Sequence, residues 1–183
     1  MSLGTELAVI FRRDLTRLLQ EVEAFPCDEM LWKTLPGVTN SAGNLVLHLE
    51  GNLCEFIGRQ LGGSDYKRRR PLEFSTSGLT QTDLAARVTR LRELIPEVLQ
   101  KLSDAQMKAR YPEDFLGVPL SSAQMLVHLD GHLGYHLGQI DYLRRILTAG
   151  GLTTGGLTTG GLTTGGLTTG GLTTGGAVAF AGL

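Results

Sequence analysis

The chain has 183 residues, 42% of them hydrophobic and 19% charged, with a formal net charge of −1. That size and balance suit one ordinary globular domain and give no general reason to expect a nucleic-acid partner. A domain near 150 residues buries roughly 68–70% of the surface of its extended chain, so a core forms without disulfide staples. Cys27 and Cys54 show neither paired nor metal-ligand spacing, and read as free thiols of a reducing compartment.

The N-terminal stretch MSLGTELAVIFRRDLTRLLQ is broken by charges before an apolar signal-peptide region develops. No apolar run of about 20 residues follows, so a cytoplasmic protein without a transmembrane segment is expected. In the first predicted helix, over about residues 4–25, Leu7, Phe11, Leu15, Leu18 and Val22 recur every three or four positions and share one side. Pro26 opposes its continuation, and Pro36-Gly37 adds a turn.

A second helix starts near Ser41 and runs to Leu61, ending before Gly62-Gly63. Its inward stripe holds Leu45, His48 or Leu49, Asn52 or Leu53, and Phe56. The loop beyond it contains Tyr66-Lys67-Arg68-Arg69-Arg70-Pro71. With no groove-reading helix or stacking module beside it, this cluster reads as a solvated basic surface, or as a seat for an anionic ligand if it reaches a cleft.

Thr80 opens the third helix with a capping box completed by Asp83, and Leu84, Val88, Leu91, Ile95, Val98 and Leu102 follow at helical spacing. Pro96 lacks an N–H and crowds the preceding turn, so a bend or local break near the Arg92 carbonyl is expected. The fourth helix begins near Ser121, capped with Gln124, and its inward stripe is Met125, Leu129, His132, His136, Ile140, Leu143 and Leu147. Four helical patterns without intervening buried strands favour an all-α, antiparallel four-helix bundle.

The chain divides at residue 150, with every charged side chain before that point. Five Leu-Thr-Thr-Gly-Gly units fill residues 152–176, too poor in large apolar groups to build a core of their own. Residues 150–183 are therefore read as a flexible or loosely extended tail appended to a 1–149 bundle, with Ala177-Val178-Ala179-Phe180 able to dock as a short strand.

His132 and His136 stand one turn apart, their Cβ atoms roughly 5–6 Å from each other, close enough to share one ion. His48, near the core-facing boundary of the second helix, supplies a third imidazole if the two helices are neighbours. Three histidines leave an open position for water or substrate, and neutral imidazoles suit zinc, nickel or iron, with zinc or nickel favoured. Against this stands the ordinary role of core histidines as internal hydrogen-bonding groups. His128, a further turn away, is placed at the pocket edge, Asn52 beside His48, and Gln139 as a group that orders the pocket or a polar contact.

His48 within Leu-Val-Leu-His-Leu-Glu, taken with His132-Leu-Gly-Tyr-His136-Leu-Gly-Gln-Ile, resembles the metal-binding pattern of the DinB-like superfamily across about residues 5–149. The resemblance implies a four-helix bundle of up-down-down-up connectivity, the ligand set His48, His132 and His136, and often a dimer. It has no counterpart for the repetitive tail. Some such proteins are transferases or isomerases that use a low-molecular-weight thiol, so a thiol cosubstrate and an electrophilic small molecule are implied partners, with Lys67, Arg68, Arg69 or Arg70 balancing the cofactor's carboxylates. A metal-assisted hydrolase is the alternative, although Glu50 and Glu55 lie at phases that need not face the ion. Neither the bundle nor its ligands establish turnover, so a nonenzymatic metal-binding or interaction module stays open. A homodimer is expected to form through the bundle rather than the tail, by way of Ile10, Leu19, Leu94 and Leu99, which fall away from the simplest inward stripes.

Overall fold

A Ser2 hydroxyl accepting from the Thr5 N–H starts the first helix, α1 (Leu3–Glu23), of a computed structural model that describes residues 2–149. The remaining elements are α2 (Asp28–Leu31), α3 (Ala42–Leu53), α4 (Arg70–Ser75), α5 (Gln81–Lys101), α6 (Asp104–Lys108) and α7 (Ser122–Ala149). The repetitive run and the Ala177–Phe180 segment lie outside the described residues. No described helix is long and apolar enough to cross a membrane.

Helices α1, α3, α5 and α7 pack together as an all-α bundle, and β structure among the described residues is confined to two isolated bridges. The inward stripes supply the core: Phe11, Leu15 and Leu18 of α1, Leu84, Val88 and Ile95 of α5, and Met125, Leu129 and Ile140 of α7 are all buried, and Leu126 and Leu133 of α7, outside the stripe, join them. Each such side chain contributes about 1.5–3 kcal/mol relative to leaving it in water. Gly4 lets α1 approach α5, because a Cβ there would overlap the Leu99 carbonyl oxygen and stand 3.1 Å from Met107 Cε.

The predicted caps form. Thr80 and Asp83 bond reciprocally at the start of α5, and Ser121 and Gln124 do the same at the start of α7. Gln81 Nε2 reaches across to the carbonyls of Val22 (3.0 Å) and Phe25 (2.8 Å), at and just beyond the end of α1. The start of α5 therefore meets the end of α1, while Gly4 meets the end of α5. Glu50 of α3 pairs with Arg87 of α5, and Glu21 of α1 with Arg144 of α7.

Three expectations need correction. The second helix does not run as a regular α-helix to Leu61: from Cys54 to Arg59 it widens into a π-helical turn, with Gln60 N–H bonded to the Glu55 carbonyl and Gly62 N–H to that of Ile57. Such turns are rare, occur mostly as single turns within α-helices, and are frequent at functional sites. Of the bend or local break expected at Pro96, the break does not form, and α5 continues as one helix to Lys101. Leu19 and Leu99 are buried, at 8% and 0% exposure, so the patch of Ile10, Leu19, Leu94 and Leu99 is not a free surface. Both lie within the broad apolar face that a helix buries when it touches two neighbours.

Candidate metal centre

Ser41 caps α3 through the Asn44 N–H, and the helix it starts carries His48 into the bundle against α7. There the ligand atoms of His48, His132 and His136 lie within 4.8 Å of one another. The His48 and His132 Nε2 atoms are 3.1 Å apart, and each pair of the three rings meets nearly edge to face, at 82°, 87° and 87°. Among the described residues this is the one group of three or more His, Cys, Asp or Glu side chains so placed.

What touches the far side of each ring sets its chemistry. His48 Nδ1 stands 2.9 Å from Glu73 Oε2, and because an ionised carboxylate has no proton to give, the ring nitrogen donates. His136 Nδ1 donates to the Gln139 side-chain amide oxygen, Oε1, at 2.6 Å. Both rings thereby have Nδ1 engaged, which leaves Nε2 as the atom each offers to the centre. Burial, followed by the neighbouring imidazoles of His136, His48 and His128, pushes the His132 pKa down to about 3, and burial also lowers that of His136. Both are held in the neutral form that coordinates metal.

The donor set fits a divalent ion. A tetrahedral site with Zn–N bonds near 2.0–2.1 Å places its nitrogens roughly 3.3 Å apart, close to the His48–His132 spacing. Asn52, one turn beyond His48 and 2% exposed, has an Oδ1 with no hydrogen-bond partner among the described residues. A buried acceptor left open one helical turn from His48 calls for a polar partner such as water or an ion.

His128 is not part of the convergent set. Its ring packs on Phe115 at 4.3 Å and lies 6.5 Å from that of His132, and its buried Nε2 has no hydrogen-bond partner among the described residues. Phe115 is brought there by a chain reversal in which Leu116 and Gly117 have positive φ (51° and 77°) and Phe115 and Val118 exchange backbone hydrogen bonds.

Glu73, on the short helix α4, was not singled out from the sequence. It is 6% exposed, and although burial alone would raise its pKa, hydrogen bonds with His48 and Arg68 outweigh that and lower it. Arg68, read as one of a set of solvated cations, is half-buried: its Nε and Nη2 bond Glu73 at 2.7 and 2.9 Å. Its charge is thus committed inside the protein. The only sequence signal for α4 is Pro71 in its first turn, which presets the helical φ.

Arg68 also lies over the Phe56 ring, 5.5 Å from the centroid, and forms one wall of an open cleft of about 710 Å³ whose lining mixes the cations Arg59, Lys67 and Arg70 with the carboxylates Glu55, Asp65 and Glu113. Glu50 and Glu55 are engaged by Arg87 and Arg59 respectively. Cys54 is a free thiol whose pKa is pushed up to about 11 by burial and then by Glu50, which makes it a poor nucleophile.

Comparison with known proteins places this arrangement. A family model described as the DinB superfamily matches residues 10–140. The fold is similar to that of a DinB-like protein from Bacillus cereus, with a TM-score of 0.59 and 20% identity over 79% of this chain and 91% of that one. It is also similar to a conserved protein from Enterococcus faecalis, with a TM-score of 0.65 and 13% identity over 81% of this chain and 99% of that one. No curated protein matches the chain significantly.

Proposed function

We propose, from the premise that the chain belongs to the DinB superfamily, that it works through a divalent ion, zinc or nickel by preference, held by His48, His132 and His136. The observation that carries this reading is the convergence of three imidazoles, two of them with Nδ1 already engaged by an acceptor. When bound, the ion supplies Lewis acidity at its open position, lowering the pKa of a thiol or water there.

Of the reactions such a site supports, we assign transfer of a low-molecular-weight thiol to an electrophilic small molecule. Hydrolysis asks for a general base beside the ion, and the nearby carboxylates are spoken for: Glu73 by Arg68 and His48, Glu50 by Arg87, Glu55 by Arg59. A thiol, with an unperturbed pKa of about 8.5, needs far less help than water to become a nucleophile. In the neighbouring cleft, where Arg59 and Arg68 are paired with glutamates, Lys67 and Arg70 are the cations assigned to the carboxylates of such a thiol.

The up-down-down-up connectivity belongs to the same reading, supported by the end-to-end meetings of α1 with α5 and the pairing of Glu50 with Arg87. Two free thiols support a reducing, cytoplasmic setting.

Metal analysis of purified protein tests the central claim. Wild type is expected to carry about one ion per chain and His132→Ala to lose it, whereas unchanged stoichiometry in a folded variant would reject the triad.

A homodimer completes the proposal, through the outer face of α7. Val127, Tyr135, Tyr142 and Ile146 recur along that face and are all exposed. Light scattering on the full chain should give a dimer that Tyr142→Glu dissociates; a monomeric wild type would dispose of it.

A further inference from the structure

Gly51 occupies an interior position of α3, three residues past His48, where alanine would make the better helix. Its neighbour across the helix interface explains the choice. A Cβ at Gly51 would overlap Glu73 Oε1 and lie 2.7 Å from Glu73 Cδ and 3.3 Å from Cγ.

An ordinary glutamate would swing aside, but this one is held at every polar atom. Arg68 Nε bonds Oε1 at 2.7 Å, and Arg68 Nη2 and His48 Nδ1 bond Oε2 at 2.9 Å each. The backbone behind it is pinned as well, by Asn44 Nδ2 donating to the carbonyls of Glu73 (3.2 Å) and Thr76 (2.9 Å). Arg68 is in turn seated on Phe56. Moving the carboxylate therefore breaks a charge-assisted pair and the hydrogen bond to His48 together.

We infer that Gly51 and Glu73 are positioning residues: the missing side chain of Gly51 gives the Glu73 carboxylate its berth, and Glu73, locked by Arg68, fixes His48 as the Nδ1–H tautomer with its Nε2 aimed at His132 and His136. The inference rests on the metal-binding reading for its purpose but not for its geometry, since the tautomer is set by groups on the protein. A hydrogen bond to the far nitrogen of a ligating histidine also fixes ring orientation and raises its basicity, and losing one costs roughly 10–100-fold in metal affinity.

The test uses full-length wild type, Gly51→Ala, Glu73→Ala and the double variant. Each is titrated with Co2+ followed by ligand-field absorption, and the imidazole tautomers of the metal-free proteins are read by long-range 15N NMR. Circular dichroism confirms that each is folded. Gly51→Ala is expected to weaken Co2+ binding roughly 10–100-fold and to turn the single Nδ1–H form of His48 into a mixture. In the Glu73→Ala background, where the carboxylate is gone, the same glycine change should have no further effect, so the two losses are not additive.

Wild-type affinity and a pure Nδ1–H tautomer in folded Gly51→Ala would overturn the inference, as would additive losses in the double variant. If wild type bound no Co2+, the metal reading would fail by itself, and the His48 tautomer in wild type and Gly51→Ala would still decide whether the glycine berth does what is claimed.

Discussion

Phe11→Ala is expected to lower the free energy of unfolding by about 3–5 kcal/mol, the cost of deleting a buried aromatic ring and leaving a cavity that the neighbours only partly fill. Phe11 is 0% exposed in the middle of α1, within the core that α1 builds with α5. Domains of this kind have about 5–15 kcal/mol of stability in all, so the loss is a large share of it. Val9, two residues away on the same helix, is 61% exposed, and Val9→Ala should change stability by less than about 0.5 kcal/mol. Urea unfolding followed by circular dichroism measures both. Similar values for the two variants would mean that the inward face of α1 is wrongly assigned. Because the histidines lie on α3 and α7, Phe11→Ala should retain its metal-ligand geometry wherever it remains folded.

The contrast between Phe11 and Val9 was legible in the sequence, since apolar spacing of three and four states directly which side of a helix is inward. The same is true of His132 and His136, which share a stripe with Met125, Leu129 and Ile140, and of the capping pairs at Thr80 and Ser121, whose signals are local. The misplaced contact patch has a simple cause. A single narrow stripe puts Leu19 and Leu99 outward, whereas each also falls one turn from a core residue, Leu15 and Ile95, and a helix between two neighbours buries both rows.

The site was legible only as far as its ligands. Glu73 meets His48 from a six-residue helix 25 positions away in sequence, and no periodicity reaches across a loop to announce such a pair. Arg68 looked like its neighbours Lys67 and Arg69, and burial against Phe56 and Glu73 alone sets it apart. Gly51 read as a mild flaw in a helix, because the reason for a glycine lies in the element packed against it.

Acidification supplies the other large effect: in the presence of a chelator, the protein is expected to lose about 2 kcal/mol of stability from His132 alone between pH 6.5 and 5, at roughly 1.4 kcal/mol per unit. The folded state holds the His132 pKa near 3, against an ordinary value of 6.5, through burial first and the adjacent imidazoles second. As pH falls through 6.5 the unfolded chain takes up a proton that the folded protein does not, so stability is intact above that pH and declines below it. His136 and His128, lowered chiefly by burial, act in the same direction. Glu73 does not contribute in this window, because a carboxyl whose pKa is lowered from 4.5 changes stability only below that value. Replacing the imidazole with an apolar group removes the titration, so His132→Leu should show a shallower decline, by about one proton's slope at pH 5. Urea-unfolding free energies of both proteins at pH 7, 6 and 5 decide the matter: parallel curves would show that His132 is not held neutral in the folded bundle, and with that the argument for its readiness to bind metal would fall.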